Sequence, residues 1–197
     1  MNKIIQICML GVFAGLTANL FPSKAHCRVA SKSTFEMKEA PSPSDWKRFH
    51  LMTPLDKNAL WKSQATQHQT LRNWAWQWRI GWLQSCSTDQ SNLVMCDMII
   101  EQGLTDKAMV VRQSAVRAFA IKYKDKPSLR HLEILSNMFH KVENYRNGKP
   151  LPVCDEIVRA LMTMQHPKAQ NIAKKLASKH PRIAHLQQGL ARQTKKF

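Results

Sequence analysis

Glycine and proline are scarce in this chain, with 6 Gly and 9 Pro among 197 residues. An all-β protein built on many tight turns needs more of both, since glycine supplies positive φ and proline presets the turn, so that class is excluded. Acidic residues are scarce as well. Thirteen Asp plus Glu stand against 30 Lys plus Arg, giving a formal charge of +17 and a sequence pI near 10.1. The strong enzyme signatures are also missing: there is no glycine-rich phosphate loop, no Gly-x-Ser-x-Gly elbow and no His-Glu-x-x-His helix. The eight histidines are dispersed, without the closely spaced ligand pairs of a zinc site, so neither metal nor cofactor is expected.

What is present is an ordinary globular composition, 44% hydrophobic with 22% charged residues, rich in Met, Leu, Ala, Lys and Gln. Such a chain buries a core, and those residue types favour helices. The carboxylate pairs Asp97/Glu101 and Asp155/Glu156 fit one helical turn and a helix start better than acid–base catalysis. A nucleophilic role for Cys86 or Cys154 would need a spatially adjacent histidine.

The first segment reads as an address. Lys3 precedes an apolar run from Ile4 to Leu16 broken by Gln6 and Gly11, and Phe21-Pro22 leads into Ser23-Lys24-Ala25. That is the pattern of a secretory signal peptide over residues 1–25, with cleavage expected after Ala25 and a periplasmic or secreted product. The run is shorter than the roughly 20 residues of a membrane span, which ranks a retained anchor second. Processing as a lipoprotein at Cys27 ranks third. Cleavage removes Lys3 and Lys24 and no acid, leaving +15. It also leaves Cys27, Cys86, Cys96 and Cys154, an even set where disulfides persist. Cys86 with Cys96 is the preferred pair, because they flank a short break between two helical patterns. Cys27 with Cys154 would be the other, and four free buried thiols are the alternative.

Residues 26–44 read as a Ser/Pro-rich tether. From Asp45 to the end the periodicity is helical. A first piece at 45–52 gives way to a helix capped by Thr53 and running to about Gln64. The next, from about Gln69 to Ser85, aligns Leu71, Trp74, Trp78 and Trp82 on one side. Ser87-Thr88-Asp89 is expected to open a helix that Gly103 closes as a left-handed cap. Thr105-Asp106 opens another, with Val111, Ala115, Ala118 and Phe119 inward. Ser128 begins one carrying Leu132, Leu135, Phe139 and Val142 that Asn147-Gly148 stops. Helices over 152–166, 167–180 and 181–193 complete the chain, with His166 and His180 as C-terminal caps before prolines.

Eight successive helices with short connections leave two all-α architectures, a compact helical bundle or a stack of antiparallel helix pairs. The stretch Asp106-Lys107-Ala108-Met109-Val110-Val111-Arg112-Gln113-Ser114-Ala115-Val116-Arg117-Ala118-Phe119 resembles the signature of HEAT-type repeats. Pro167 to Leu176 is a weaker echo that lacks the Val-Arg pair. The resemblance implies that residues 45–197 form a small α-solenoid domain of an exported bacterial protein, of the kind used to bind other molecules. It also implies that Arg112 supports packing between repeats through an acidic neighbour.

Two further features bear on binding. Trp76 falls off the main tryptophan stripe, beside Arg72 and Arg79, where an aromatic face could stack on a ring-shaped ligand. Basic residues concentrate between Arg112 and Arg130 and again from Lys168 onwards. In a helical stack, Arg112, Arg117, Lys122, Lys124, Arg130, Lys168 and Lys175 could line one trough with Trp76. The expected function is a non-enzymatic binding or scaffold protein that holds an acidic partner, a protein in the first instance. The alternatives are a nucleic-acid-binding protein resembling the HEAT-like DNA glycosylases, and an envelope protein attracted to anionic lipid or glycan.

Overall fold

A computed structural model describes residues 35–65, 71–88 and 94–178. The expected signal peptide, Cys27 and the expected helix over 181–193 lie outside the described residues. The fold is all-α, with eight α-helices among the described residues.

Helix α1 (Pro43–Leu51) starts where the sequence provides a reciprocal cap. The Ser42 hydroxyl accepts the Asp45 backbone N–H at 3.1 Å, the Asp45 carboxylate takes the Ser42 N–H, and Pro43 occupies the first turn. Thr53 and Asp56 repeat the device at the head of α2 (Pro54–Ala65). Residues 71–73 form one 3₁₀ turn, and α3 runs over Trp76–Thr88. This helix starts later than the spacing suggests, because the Ala75 N–H donates to the Met37 carbonyl at 2.8 Å instead of closing a helical turn.

Then follow α4 (Val94–Leu104), α5 (Met109–Tyr123) and α6 (Leu129–Phe139). Ser128 caps α6 together with His131, whose Nδ1 accepts the Ser128 N–H at 3.1 Å. A short hairpin, β1 (Tyr145–Arg146) with β2 (Lys149–Pro150), precedes α7 (Pro152–Thr163) and α8 (Pro167–Ser178). Helix α5 packs against α3, α4 and α7, while α7 also packs against α6 and α8.

Several expectations are corrected. Residues 35–44 are not free tether: Phe35 and Met37 are buried, and the Phe35 ring meets Trp78 edge-on at 5.1 Å. Apolar side chains inside a Ser/Pro-rich stretch found a core to join. Ser87 and Thr88 do not open a helix but end α3, their hydroxyls bonding to the Gln84 carbonyl. Gly103 is not a left-handed cap. It lies within α4, and a Cβ there would come within 2.9 Å of Ala115 Cβ and 3.1 Å of Leu83 Cδ2, so glycine is required for close approach. Helix α6 ends at Phe139 because the buried Asn144 side chain donates to the Met138 carbonyl at 2.7 Å, leaving Val142 78% exposed. Asn147 and Gly148, both at positive φ, turn the hairpin instead. His166 heads α8 rather than ending α7, its Nδ1 accepting the Lys168 N–H at 3.1 Å. The pair Cys86–Cys96 forms a disulfide that ties the end of α3 to the start of α4. Among the described residues Cys154 is a buried free thiol, and Cys27, its expected partner, lies outside them.

Candidate functional site: a basic cleft

Residues of the expected basic trough line different cavities: Arg112 a cleft, Trp76 an apolar groove and Arg130 a third pocket. Arg112 is 5% exposed and belongs to the interior. Its Nε donates to Asn144 Oδ1 at 2.8 Å, Nη1 to the carbonyls of Asp106 and Lys107, and Nη2 to the Glu143 carbonyl at 2.7 Å. Arg112 is therefore not an exposed binding residue, and its partners are carbonyls and an amide rather than the acidic neighbour the resemblance implies. Arg117 on α5 pairs with Glu156 on α7 at 2.9 Å, a bond that raises the pKa of the guanidinium further. Lys122 pairs with Asp97 at 2.5 Å. Lys124, Arg130, Lys168 and Lys175 are exposed, but they sit at the end of α5, on α6 and on α8. Trp76 is 46% exposed and lines an apolar groove of about 490 Å³ with Pro41, Pro43, Trp46, Gln77 and Ile80.

Three turn segments meet elsewhere. Arg72 and Asn73 precede α3, Thr105 to Lys107 connect α4 to α5, and Lys141 to Asn144 follow α6. Together they enclose a cleft of about 690 Å³, with Arg112 and Leu104 also in its wall. Arg72, Lys107 and Lys141 are exposed at this cleft, and Arg72 Nη2 reaches the Thr105 hydroxyl at 3.3 Å. The Asp106 carboxylate does not offset them. It forms an ion pair with the buried Arg79 of α3 and accepts the Ala108 N–H at 2.7 Å. With that pair neutral, Arg72, Lys107, Arg112 and Lys141 face the single acid Glu143. A cavity of this size falls in the range of about 300–1,000 Å³ typical of ligand sites, and its excess of positive charge suits an anion.

Sequence reasoning placed Arg72 beside the tryptophans and Lys107 within the repeat signature, and it overlooked Lys141 and Asn144. Their shared signal is position: each lies at a helix boundary, where loops gather functional residues on a scaffold.

A second polar cluster carries less chemistry. The Asp97 carboxylate accepts hydrogen bonds from Tyr123 and Lys122. Partial burial pushes this carboxyl up, but the two hydrogen bonds and the Lys122 charge outweigh it and hold it below its ordinary value. Burial, then Asp97, raises the Tyr123 phenol. Burial lowers His131, assisted by Arg130. These groups satisfy one another, leaving no poised base or nucleophile. The Cys154 thiol is pushed up to about 11 by burial, which makes it inert rather than nucleophilic. Among the described residues, no group of three His, Cys, Asp or Glu side chains is placed to hold a metal ion, and no helix is long and apolar enough to cross a membrane.

No protein-family model, curated protein or solved structure matches this chain.

Proposed function

We propose that this chain is an exported, non-enzymatic binding protein that holds an acidic partner protein at the cleft formed by Arg72, Lys107, Arg112 and Lys141. The observation that carries the reading is the convergence of three exposed cations over one cavity whose buried acid, Asp106, is already neutralised by Arg79. The succession of α3, α5 and α7, each packed on the next, supports a HEAT-like solenoid as the scaffold. Each helix pair then contributes its terminal turns to one edge, which is where the cleft lies. Long-range attraction speeds encounter, and groups within the cleft supply specificity.

The test is titration of the full chain against a fluorescent glutamate-rich peptide. Binding weakens by about tenfold or more as salt rises from low to physiological strength, as screening requires, and the double variant Lys107→Glu/Lys141→Glu abolishes it. Salt-independent binding, or binding that survives the double variant, rejects the reading.

A nucleic-acid reading draws on the exposed Lys124, Lys126 and Arg130. Micromolar, sequence-blind retention of random duplex DNA at physiological salt, lost on neutralising those three, would favour it.

A further inference from the structure

Two arginines in this molecule are buried to the same degree and are treated differently. Arg79 and Arg112 are each 5% exposed. Arg79 has a counter-ion, Asp106, which is itself buried. Arg112 has none: its four hydrogen bonds go to three main-chain carbonyls and one side-chain amide, all neutral acceptors. Among the described residues it makes no ion pair with a carboxylate. Five N–H donors less four bonds leave one donor on Nη2 uncommitted. Carbonyl partners repay the lost hydration of a guanidinium but not its charge, and burying an uncompensated charge is costly. The cleft onto which Arg112 faces adds Arg72, Lys107 and Lys141 to that charge rather than cancelling it.

We propose that the cleft is a binding site for a phosphate monoester, with Arg112 as its buried anchor and Arg72, Lys107 and Lys141 as its rim. The proposal rests on reading the cleft as the site of the acidic partner, and it names the group recognised there. A carboxylate brings one negative charge and two oxygens. A phosphate monoester brings about −1.5 to −2 at neutral pH and three strong acceptor oxygens. With four cations against Glu143 alone, the dianion matches both the charge and the number of converging donors. Asn73 lines the same cavity, and its amide is a neutral donor for a tetrahedral group. Arg112 would act as a fixed point charge, because its bonds to residues 106, 107, 143 and 144 hold it before any ligand arrives.

The experiment uses the full chain, with inorganic phosphate and phosphoserine as probes and acetate at matched ionic strength as the comparison. Binding is followed by phosphorus NMR and by the guanidinium Nε–H resonance of Arg112. One saturable site is expected. The Arg112 resonance shifts on titration, and Arg72→Ala and Lys141→Ala each weaken binding by about tenfold, as expected for a charge-assisted bond. Both substituted side chains are exposed, so the fold is retained. A response that rises linearly with phosphate, an Arg112 signal that does not move, or acetate binding as tightly as phosphate would each overturn the proposal. If the glutamate-rich peptide still binds in a salt-dependent way while phosphate does not saturate, the phosphate assignment falls and the acidic-partner reading stands. If neither binds, both fall.

Discussion

Between Phe35 and Trp82 the large buried side chains are mostly rings, whereas from α5 to α8 alanines and branched aliphatics outnumber the two buried rings, Phe119 and Phe139. In the first region Phe35, Phe49, Trp61, Trp74, Trp78 and Trp82 meet mostly edge-to-face. In the second, Ala115 and Ala118 of α5 and Ala169, Ala173 and Ala177 of α8 are buried beside Val158, Leu161 and Leu135. The two solutions carry different costs. Rings fill the space between short elements with few residues, but the indole N–H groups of Trp74, Trp78 and Trp82 are buried without a hydrogen-bond partner, each a loss of order 1 kcal/mol or more. Alanines fill little, but they let helical backbones approach and leave no polar atom behind. The lesson is that the aromatic end depends on single large side chains, while the stack depends on spacing.

The largest effect that separates them is expected from Trp82→Ala, which should cost about 3–5 kcal/mol and is read from the urea midpoint. The same deletion in the stack, Leu161→Ala, spans about 2–5 kcal/mol in general. A Trp82 loss smaller than that of Leu161 would break the distinction.

Next comes the seam between the regions, where α4 passes Leu83 of α3 and Ala115 of α5. Gly103→Ala places a methyl within 2.9 Å of Ala115 Cβ and should cost about 1–3 kcal/mol by overpacking. Adding Ala115→Gly should restore part of it, and no recovery in the double variant would show that the spacing argument is wrong.

The smallest effect is a pH dependence belonging to the stack. His131 has its pKa lowered in the folded chain, so the unfolded chain takes up the proton first. Its contribution is complete above the unfolded value of about 6.5 and declines as pH falls through the folded value. Protonation would also remove the Nδ1 acceptor that holds the Ser128 N–H. Denaturation midpoints at pH 7 and pH 5 should therefore differ more in the wild type than in His131→Asn, and stability that rises on acidification would contradict the assignment.

The starts at Thr53 and Ser128 were legible because capping chemistry is local, each acting within three residues, whereas the cap at Ser42 was hidden in a stretch that reads as tether. The aligned stripe Leu71, Trp74, Trp78 and Trp82 was legible as core for the same reason, even though a 3₁₀ turn interrupts its helix. What escaped depended on distance along the chain. Gly103 looks like a cap until Ala115 and Leu83 are beside it, and α6 outruns its true end until Asn144 folds back onto Met138. Arg112 looks like surface until three carbonyls surround it. The cleft is the extreme case, since its rim comes from residues 72, 107 and 141. No helical period links such positions, and only tertiary packing brings them together.

Asp106 has a consequence beyond either region. Its carboxylate belongs to Arg79 in the aromatic end, and its carbonyl belongs to Arg112 in the wall of the cleft. One residue thus serves two circuits, and neither can be tuned without the other feeling it. An anion held at Arg112 would change the strength of its bond to the Asp106 carbonyl and so be felt at Arg79. By reciprocity, any repacking around α3 that shifts Arg79 would be reported as a change in affinity at the cleft.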